Sequence, residues 1–455
     1  MQSNILLFLL FSFIVSALLR ILPTRLKRYG LFFFNISFYL LCDAKFFLLV
    51  IIGTIWSFVV GRWLCTTTKR KTLLWIGIIP IIGVLCLFKY YNFFVPNSKN
   101  VLALVMPLGI SYYTFKIISY IADIYSDKYE PETSIMNYSI YVSFFPQIIC
   151  GPISRCKNIT EQIKNLFTPS EQMTVNGCML ILSGLFKKLV IADRLNSYVN
   201  AIFAAPASYP SLALWMSAFF YTVQIYCDFS GYSEIAIGVS NLLGIECSPN
   251  FNTPYFAHSI KDFWHRWHIS LSSWLKDYIY IPLGGSRKGK IRKHLNTLIT
   301  FLVSGLWHGT GLNFICWGLY HGILSLFSAK KSASTWTNIL QISGTFFAVM
   351  FGWILFRASS LHQGIQYIYY MFRHISLDTT SIVTSILPFT GDYSCLSYLL
   401  TVCLFITILF IIELREIMHK TNFSQKEIYV KCFIYISSII LFGMIGQNSF
   451  LYANF

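Results

Sequence analysis

The sequence predicts an all-α polytopic membrane protein. Three observations predict it: 55% of the 455 residues are hydrophobic, only 12% are charged, and apolar runs long enough to cross a bilayer recur from end to end. So few charges cannot cover an aqueous surface, so the surrounding solvent must be lipid.

The first run, Ile5–Ile21, is followed by Arg25, Lys27 and Arg28 and by no small-residue cleavage site, so it is expected to stay as a span and not to be removed as a signal peptide. The basic cluster at 20–28 and the next one, Arg62 with Lys69, Arg70 and Lys71, are separated by two apolar runs that meet at a short turn near Asp43. Both clusters can therefore face the cytoplasm, with the N-terminus outside. Asp127, Glu130 and Glu132 form an acidic loop, which orients a chain only weakly. Further apolar runs occupy 45–60, 72–95, 396–414 and 430–445. The net charge of +17 does not point to nucleic acid, because Lys and Arg are confined to short connections between apolar runs.

Pro107 with Gly109, Pro146 with Gly151 and Pro152, and Gly231 with Gly238 interrupt apolar stretches. They are expected to break helices or make them re-entrant. Broken backbone at membrane depth needs protein or a water-filled cavity to satisfy it, so these sites predict an interior cavity. The twelve cysteines contain no C-x-x-C pair and read as packing residues.

The longest polar interruption, 256–296, has eight basic residues, among them Arg287, Lys288, Lys290, Arg292 and Lys293, against two acidic ones. That balance assigns it to the cytoplasmic side, where the basic run can meet phosphates of a nucleotide-bearing donor or of lipid, or serve only as a positive-inside loop. Its first part has helical spacing, with Trp264, Trp267, His268, Leu271 and Trp274 on one face, which predicts an interfacial helix with His268 inward and His265 at its edge. The tryptophans read equally as a boundary belt.

An apolar span, 297–327, then carries GLWHGTGLNFICWGLYHG. An ionisable residue inside a span costs roughly 2 kcal/mol or more, so His308 is a functional candidate. Gly305 and Gly309 beside it permit close backbone approach. His321 reads as a supporting residue or as a histidine bonded between helices. His265, His268 and His308 could together bind a metal, but no carboxylate or cysteine completes a set, and no metal is expected. Proton transfer is the better use: a neutral imidazole takes a proton from an attacking hydroxyl and returns it to a leaving thiolate, as acyl transfer from a thioester requires.

The segments WHRWHISLSSWLKDYIYIPLGG, GLWHG and WGLYHG, with MPLGISYYTFKIISYIADIY, FFPQIICGPISR, QIYCDFSGYSEIAIG and NFNTPYFAHSIKDFW, resemble the membrane-bound O-acyltransferase family in its bacterial polysaccharide-modifying branch. That branch comprises alginate O-acetylation proteins, peptidoglycan O-acetyltransferases and lipoteichoic acid D-alanylation transporters. The resemblance implies one domain over 1–455, with about 11 transmembrane helices plus re-entrant and interfacial helices around a central funnel, and with 256–296 as its cytoplasmic reactive loop. It implies His308 and His268 at the base of the funnel. Asp228, Tyr232 and Glu234, with Trp307, His265 and His321, would line or support it, Asp228 otherwise being a buried carboxylate paired to an arginine. The C-terminal FLYANF, in a tail at 449–455, is similar to an aromatic tail proposed to carry the acyl group, which would make Tyr452 the carrier; Ala453 stands where that tail has phenylalanine.

The implied activity moves an acyl group from a cytoplasmic thioester, acetyl-CoA or an acyl carrier protein bearing D-alanine, across the bacterial inner membrane. Its acceptor is a hydroxyl of a cell-envelope polysaccharide, reached directly or through a partner acetyltransferase. The alternative is an acyl exporter that modifies no sugar by itself. No bound cofactor is expected; the partners are donor, acceptor and membrane lipid.

Overall fold

In a computed structural model, residues 5–94, 105–166, 168–327, 334–373, 395–419 and 425–444 are described, and they contain helices and connections but no strand. Five helical stretches are long and apolar enough to cross a membrane: Thr24–Thr66, Arg70–Tyr91, Glu171–Ala204, Thr335–Arg357 and Leu396–Met418. Two shorter apolar helices, Ile5–Ile21 and Leu312–Leu326, accompany them. Large apolar side chains such as Leu10, Phe13, Ile52 and Ile55 stand exposed along these helices, a surface suited to hydrocarbon and not to water. The chain is an all-α multi-pass membrane protein.

Contacts divide the chain into two compact units. The first comprises Met1–Ile181, Ser233–Pro249 and Ser273–Tyr278; the second comprises Leu182–Tyr232, Asn250–Ser272 and Ile279–Phe455. The helices are α1 (Ile5–Ile21), α2 (Thr24–Asp43), α3 (Phe47–Thr66), α4 (Arg70–Phe94), α5 (Ile110–Tyr125), α6 (Ile135–Ser143), α7 (Phe145–Ile148) and α8 (Cys156–Lys164). They continue as α9 (Glu171–Leu185), α10 (Asp193–Ala204), α11 (Ser211–Leu242), α12 (Ile260–Arg266), α13 (Ile269–Leu275), α14 (Gly289–His308) and α15 (Leu312–Leu326). The last are α16 (Thr335–Arg357), α17 (Leu361–Arg373), α18 (Cys395–His419) and α19 (Gln425–Phe442).

In the first unit, the turn expected near Asp43 is a short 3-10 segment, Ala44–Phe46, between α2 and α3. The break expected around Pro146 is also present: α7 has only four residues and is fully buried. Buried backbone outside a long helix needs partners, and the sequence supplies one from α2. Asn35, itself buried, accepts a 2.7 Å hydrogen bond from the Phe145 N–H. Phe8, Phe38 and Phe145 close around this junction, with Phe38 and Phe145 rings 5.3 Å apart. The interruption at Pro107 and Gly109 is likewise a helix start, where the Leu108 N–H donates to Asp43 Oδ2 at 2.9 Å and Gly109 takes a left-handed φ of +66°.

Two expectations are overturned. Gly231 and Gly238 break no helix, since α11 runs through both for 32 residues. Their role is close packing: a Cβ on Gly231 would lie 2.8 Å from the Gly184 carbonyl oxygen, and one on Gly238 would lie 2.6 Å from that of Gly177. Residues 297–327 do not form one span either. They fold as the α14–α15 hairpin, because Gly309 is extended at φ −174° and ends α14 directly after His308. The hairpin is held by glycine contacts, with a Cβ on Gly305 meeting Phe314 O at 2.3 Å and one on Gly318 meeting Phe301 O at 2.4 Å.

Candidate active site

The continuous interfacial helix expected over 264–275 is divided between α12 and α13, and His268 sits at the break. Trp267 is extended there (φ −101°, ψ 130°), and His268 has φ +41°, a conformation that costs a side-chain-bearing residue roughly 1–3 kcal/mol and needs surrounding support. Asn250 gives that support. Its carbonyl oxygen accepts from the Ile269 N–H at 2.9 Å, and its side-chain Oδ1 accepts from the Ser270 N–H at 3.1 Å and lies 3.2 Å from His268 Nδ1. The Asn252 N–H, donating to Arg266 O at 2.9 Å, joins the same two stretches.

His268 is buried, with the Phe229 ring edge-on at 4.6 Å. It lies outside the apolar spans, and burial holds its imidazole well below the usual histidine range, so it is neutral at physiological pH. A neutral ring carrying its proton on Nδ1 toward Asn250 would present Nε2 as a proton acceptor.

His308, also buried, closes the C-terminal end of α14 among Trp307 (4.6 Å between ring centroids), Trp317 (5.0 Å) and Phe356 (5.1 Å). Trp307 is also 6.5 Å from the His268 ring, so the two histidines share one indole neighbour. His321 is fully buried against Trp264 and Trp317, both with centroids at 5.2 Å, and the Trp317 ring thus touches both His308 and His321. The structure therefore brings together His268, Trp307, His308 and His321. His265, one turn before His268, is exposed.

The remaining candidates fall elsewhere. Asp228 is paired with a lysine and not with an arginine: Lys188 Nζ lies 2.7 Å from Asp228 Oδ1 and 2.8 Å from Asp193 Oδ1, all three side chains being almost fully buried. Tyr232 packs its ring 5.7 Å from the same ammonium. Lys188 reaches this position from a π-helical stretch, Phe186–Ala192, between α9 and α10, a wider coil of the kind that turns a side chain inward. Glu234 is half-buried in the first unit. Arg287, Lys288, Lys290, Arg292 and Lys293 are all exposed, on the loop before α14 and its first turn. Tyr452 and the tail at 449–455 lie outside the described residues.

Sequence reasoning passed over Asn250, Lys188 and Asp193. The last two carried a usable signal, charges inside an apolar run, FKKLVIADRL. Asn250 carried none beyond its place in the NFNTPYF segment.

Comparison with known proteins gives a match over residues 126–372 to the model of MBOAT, the membrane-bound O-acyltransferase family. A probable alginate O-acetylase of Pseudomonas syringae is 34% identical over 379 residues, covering 79% of this chain and 73% of the relative. A peptidoglycan O-acetyltransferase of Helicobacter pylori is 34% identical, over 73% of this chain and 71% of its own. A teichoic acid D-alanyltransferase of Bacillus subtilis is 31% identical, over 57% of this chain and 70% of its own.

Proposed function

Because this chain belongs to the membrane-bound O-acyltransferase family, we propose that it is an O-acetyltransferase working as one domain of about eleven spanning segments, with re-entrant and interfacial helices, around a central funnel. In this proposal it lies in the bacterial inner membrane, takes acetyl from acetyl-CoA on the cytoplasmic side at the reactive loop 256–296, and delivers it to a hydroxyl of a cell-envelope polysaccharide, directly or through a partner enzyme. Acetyl is favoured over D-alanine because relatives named for acetylation are 34% identical over about three quarters of this chain, and the D-alanyltransferase covers less of it.

The observation that carries the proposal is the pair of buried imidazoles beside Trp307. His308 takes the proton of the acceptor hydroxyl as its oxygen attacks the thioester carbonyl. The C–S bond breaks, and the departing thiolate is protonated from the histidine pair, with His268 assisting. Asp228, Tyr232 and Glu234 belong to the walls, and His265 and His321 support the pair. Arg287, Lys288, Lys290, Arg292 and Lys293 attract the donor's phosphates, and Tyr452 is a candidate acyl carrier.

The test is turnover in liposomes that enclose a hydroxyl-bearing polysaccharide as acceptor, with radiolabelled acetyl-CoA as donor. Wild type should release free coenzyme A, and His308→Ala should lose at least about 100-fold of that rate. Label fixed on wild type and lost in Tyr452→Phe would identify an exporter that needs a partner transferase. No turnover by folded wild type would overturn the acetyl donor in favour of a carrier-protein thioester such as D-alanyl.

A further inference from the structure

Arg20, in the last turn of α1, and Lys27, in the first turn of α2, line a recess bounded also by Ser16, Leu166, Pro169 and Leu242. Lys27 is only 4% exposed, and its ammonium donates to the Thr168 hydroxyl. The Arg20 guanidinium donates to Thr174 Oγ1 at 2.9 Å. Among the described residues, neither cation forms an ion pair with a carboxylate. The two are close enough to repel each other.

Two like charges, one of them largely removed from water and answered only by a neutral hydroxyl, leave donors and charge unmet. A carboxylate from the chain would ordinarily answer them; here the residues exposed next to them along the two helices are apolar instead. Ile21 is 81% exposed, and Leu18 and Leu26 are exposed on either side of the turn joining α1 to α2. A pair of cations hydrogen-bonded to hydroxyls, with exposed aliphatic residues next to them along both helices, matches a phosphate with attached hydrocarbon.

We propose that Arg20 and Lys27 jointly hold a phosphate group at the mouth of this recess, whose interior has room for about one water, the exposed aliphatic residues next to them along the two helices fitting the chains of an anionic lipid. A free phosphate is the other source of the same chemistry. The site involves none of the residues assigned to acyl transfer, so its test reads binding and not turnover.

Full-length protein in detergent is titrated with dioleoyl phosphatidylglycerol and lipid adducts are counted by native mass spectrometry. Replacing either cation, as Lys27→Met or Arg20→Gln, should weaken binding about fivefold, and Lys27→Arg should keep it. Displacement of the lipid by millimolar inorganic phosphate would assign the site to free phosphate; retention would assign it to the headgroup. Equal phosphatidylglycerol binding by wild type, Lys27→Met and Arg20→Gln overturns the proposal. Should Lys27→Met fail to fold, Arg20→Gln decides alone, since Arg20 is exposed and its replacement removes no buried group.

Discussion

His268 is held in a left-handed backbone conformation that asparagine also visits readily. That coincidence allows the residue's chemistry to be separated from its place in the fold. In His268→Asn the turn between α12 and α13 keeps an acceptable residue, and Asn250 keeps the N–H groups of Ile269 and Ser270 as donors. The variant should melt within about 5 °C of wild type while acyl transfer falls at least about 100-fold. Parallel loss of melting temperature and transfer would make His268 a structural residue and remove it from the proton cycle. At Asp228 the same separation is unavailable. Its carboxylate shares Lys188 with Asp193, so removing Lys188 leaves two buried carboxylates without their ammonium and removing Asp228 takes from that ammonium one of its two hydrogen-bonded partners, and a loss of activity there would report folding first.

The α14–α15 hairpin sets where His308 stands, because the histidine is the last residue of α14 and the two helices meet through glycine. A methyl group on Gly305 would press on the Phe314 carbonyl, which is backbone and cannot swing aside. Gly305→Ala should therefore cost about 1–3 kcal/mol, and transfer should fall with it as His308 shifts. Gly344 in α16 is the matched control, since nothing lies within 4 Å of its added Cβ. Gly344→Ala should be neutral or stabilising by up to about 1 kcal/mol, and thermal melting of the two purified variants checks both outcomes. Equal melting temperatures would show that the hairpin does not depend on the glycine contact.

At this scale the sequence was legible where one residue's neighbours decide the outcome. The apolar runs at 45–60 and 72–95 became α3 and α4, and Pro146 marked a true break. It misled where the deciding partner is remote. Gly231 and Gly238 looked like helix breakers because the carbonyls of Gly184 and Gly177, which make them packing points, are about fifty residues or more away along the chain. The division of α12 from α13 depends on Asn250, which no periodicity over 264–275 can reveal. His268 and His308 were singled out as candidates nonetheless, because an imidazole on an apolar face or in an apolar run is conspicuous by its type alone, and the structure buries both beside Trp307.

For the whole molecule, the proposed chemistry requires that the donor's side of the membrane be the side on which the basic run lies. A thioester such as acetyl-CoA is made and kept in the cytoplasm, and Arg287, Lys288, Lys290, Arg292 and Lys293 are placed there only by the tendency of Lys and Arg to remain inside. All five are exposed, on a loop and the first turn of a helix, so they are accessible to a protease that can reach them. Trypsin added to inside-out membrane vesicles should cut among them, giving new N-termini between residues 288 and 294 by terminal sequencing, and should leave them intact in sealed right-side-out vesicles. Donor phosphates at this run should slow the cutting, so excess coenzyme A is expected to protect the sites, with less protection as salt is raised and the charges are screened. Cleavage confined to right-side-out vesicles would turn the run outward, where no thioester is supplied. The proton cycle of His308 and His268 would then have to be assigned to a different donor.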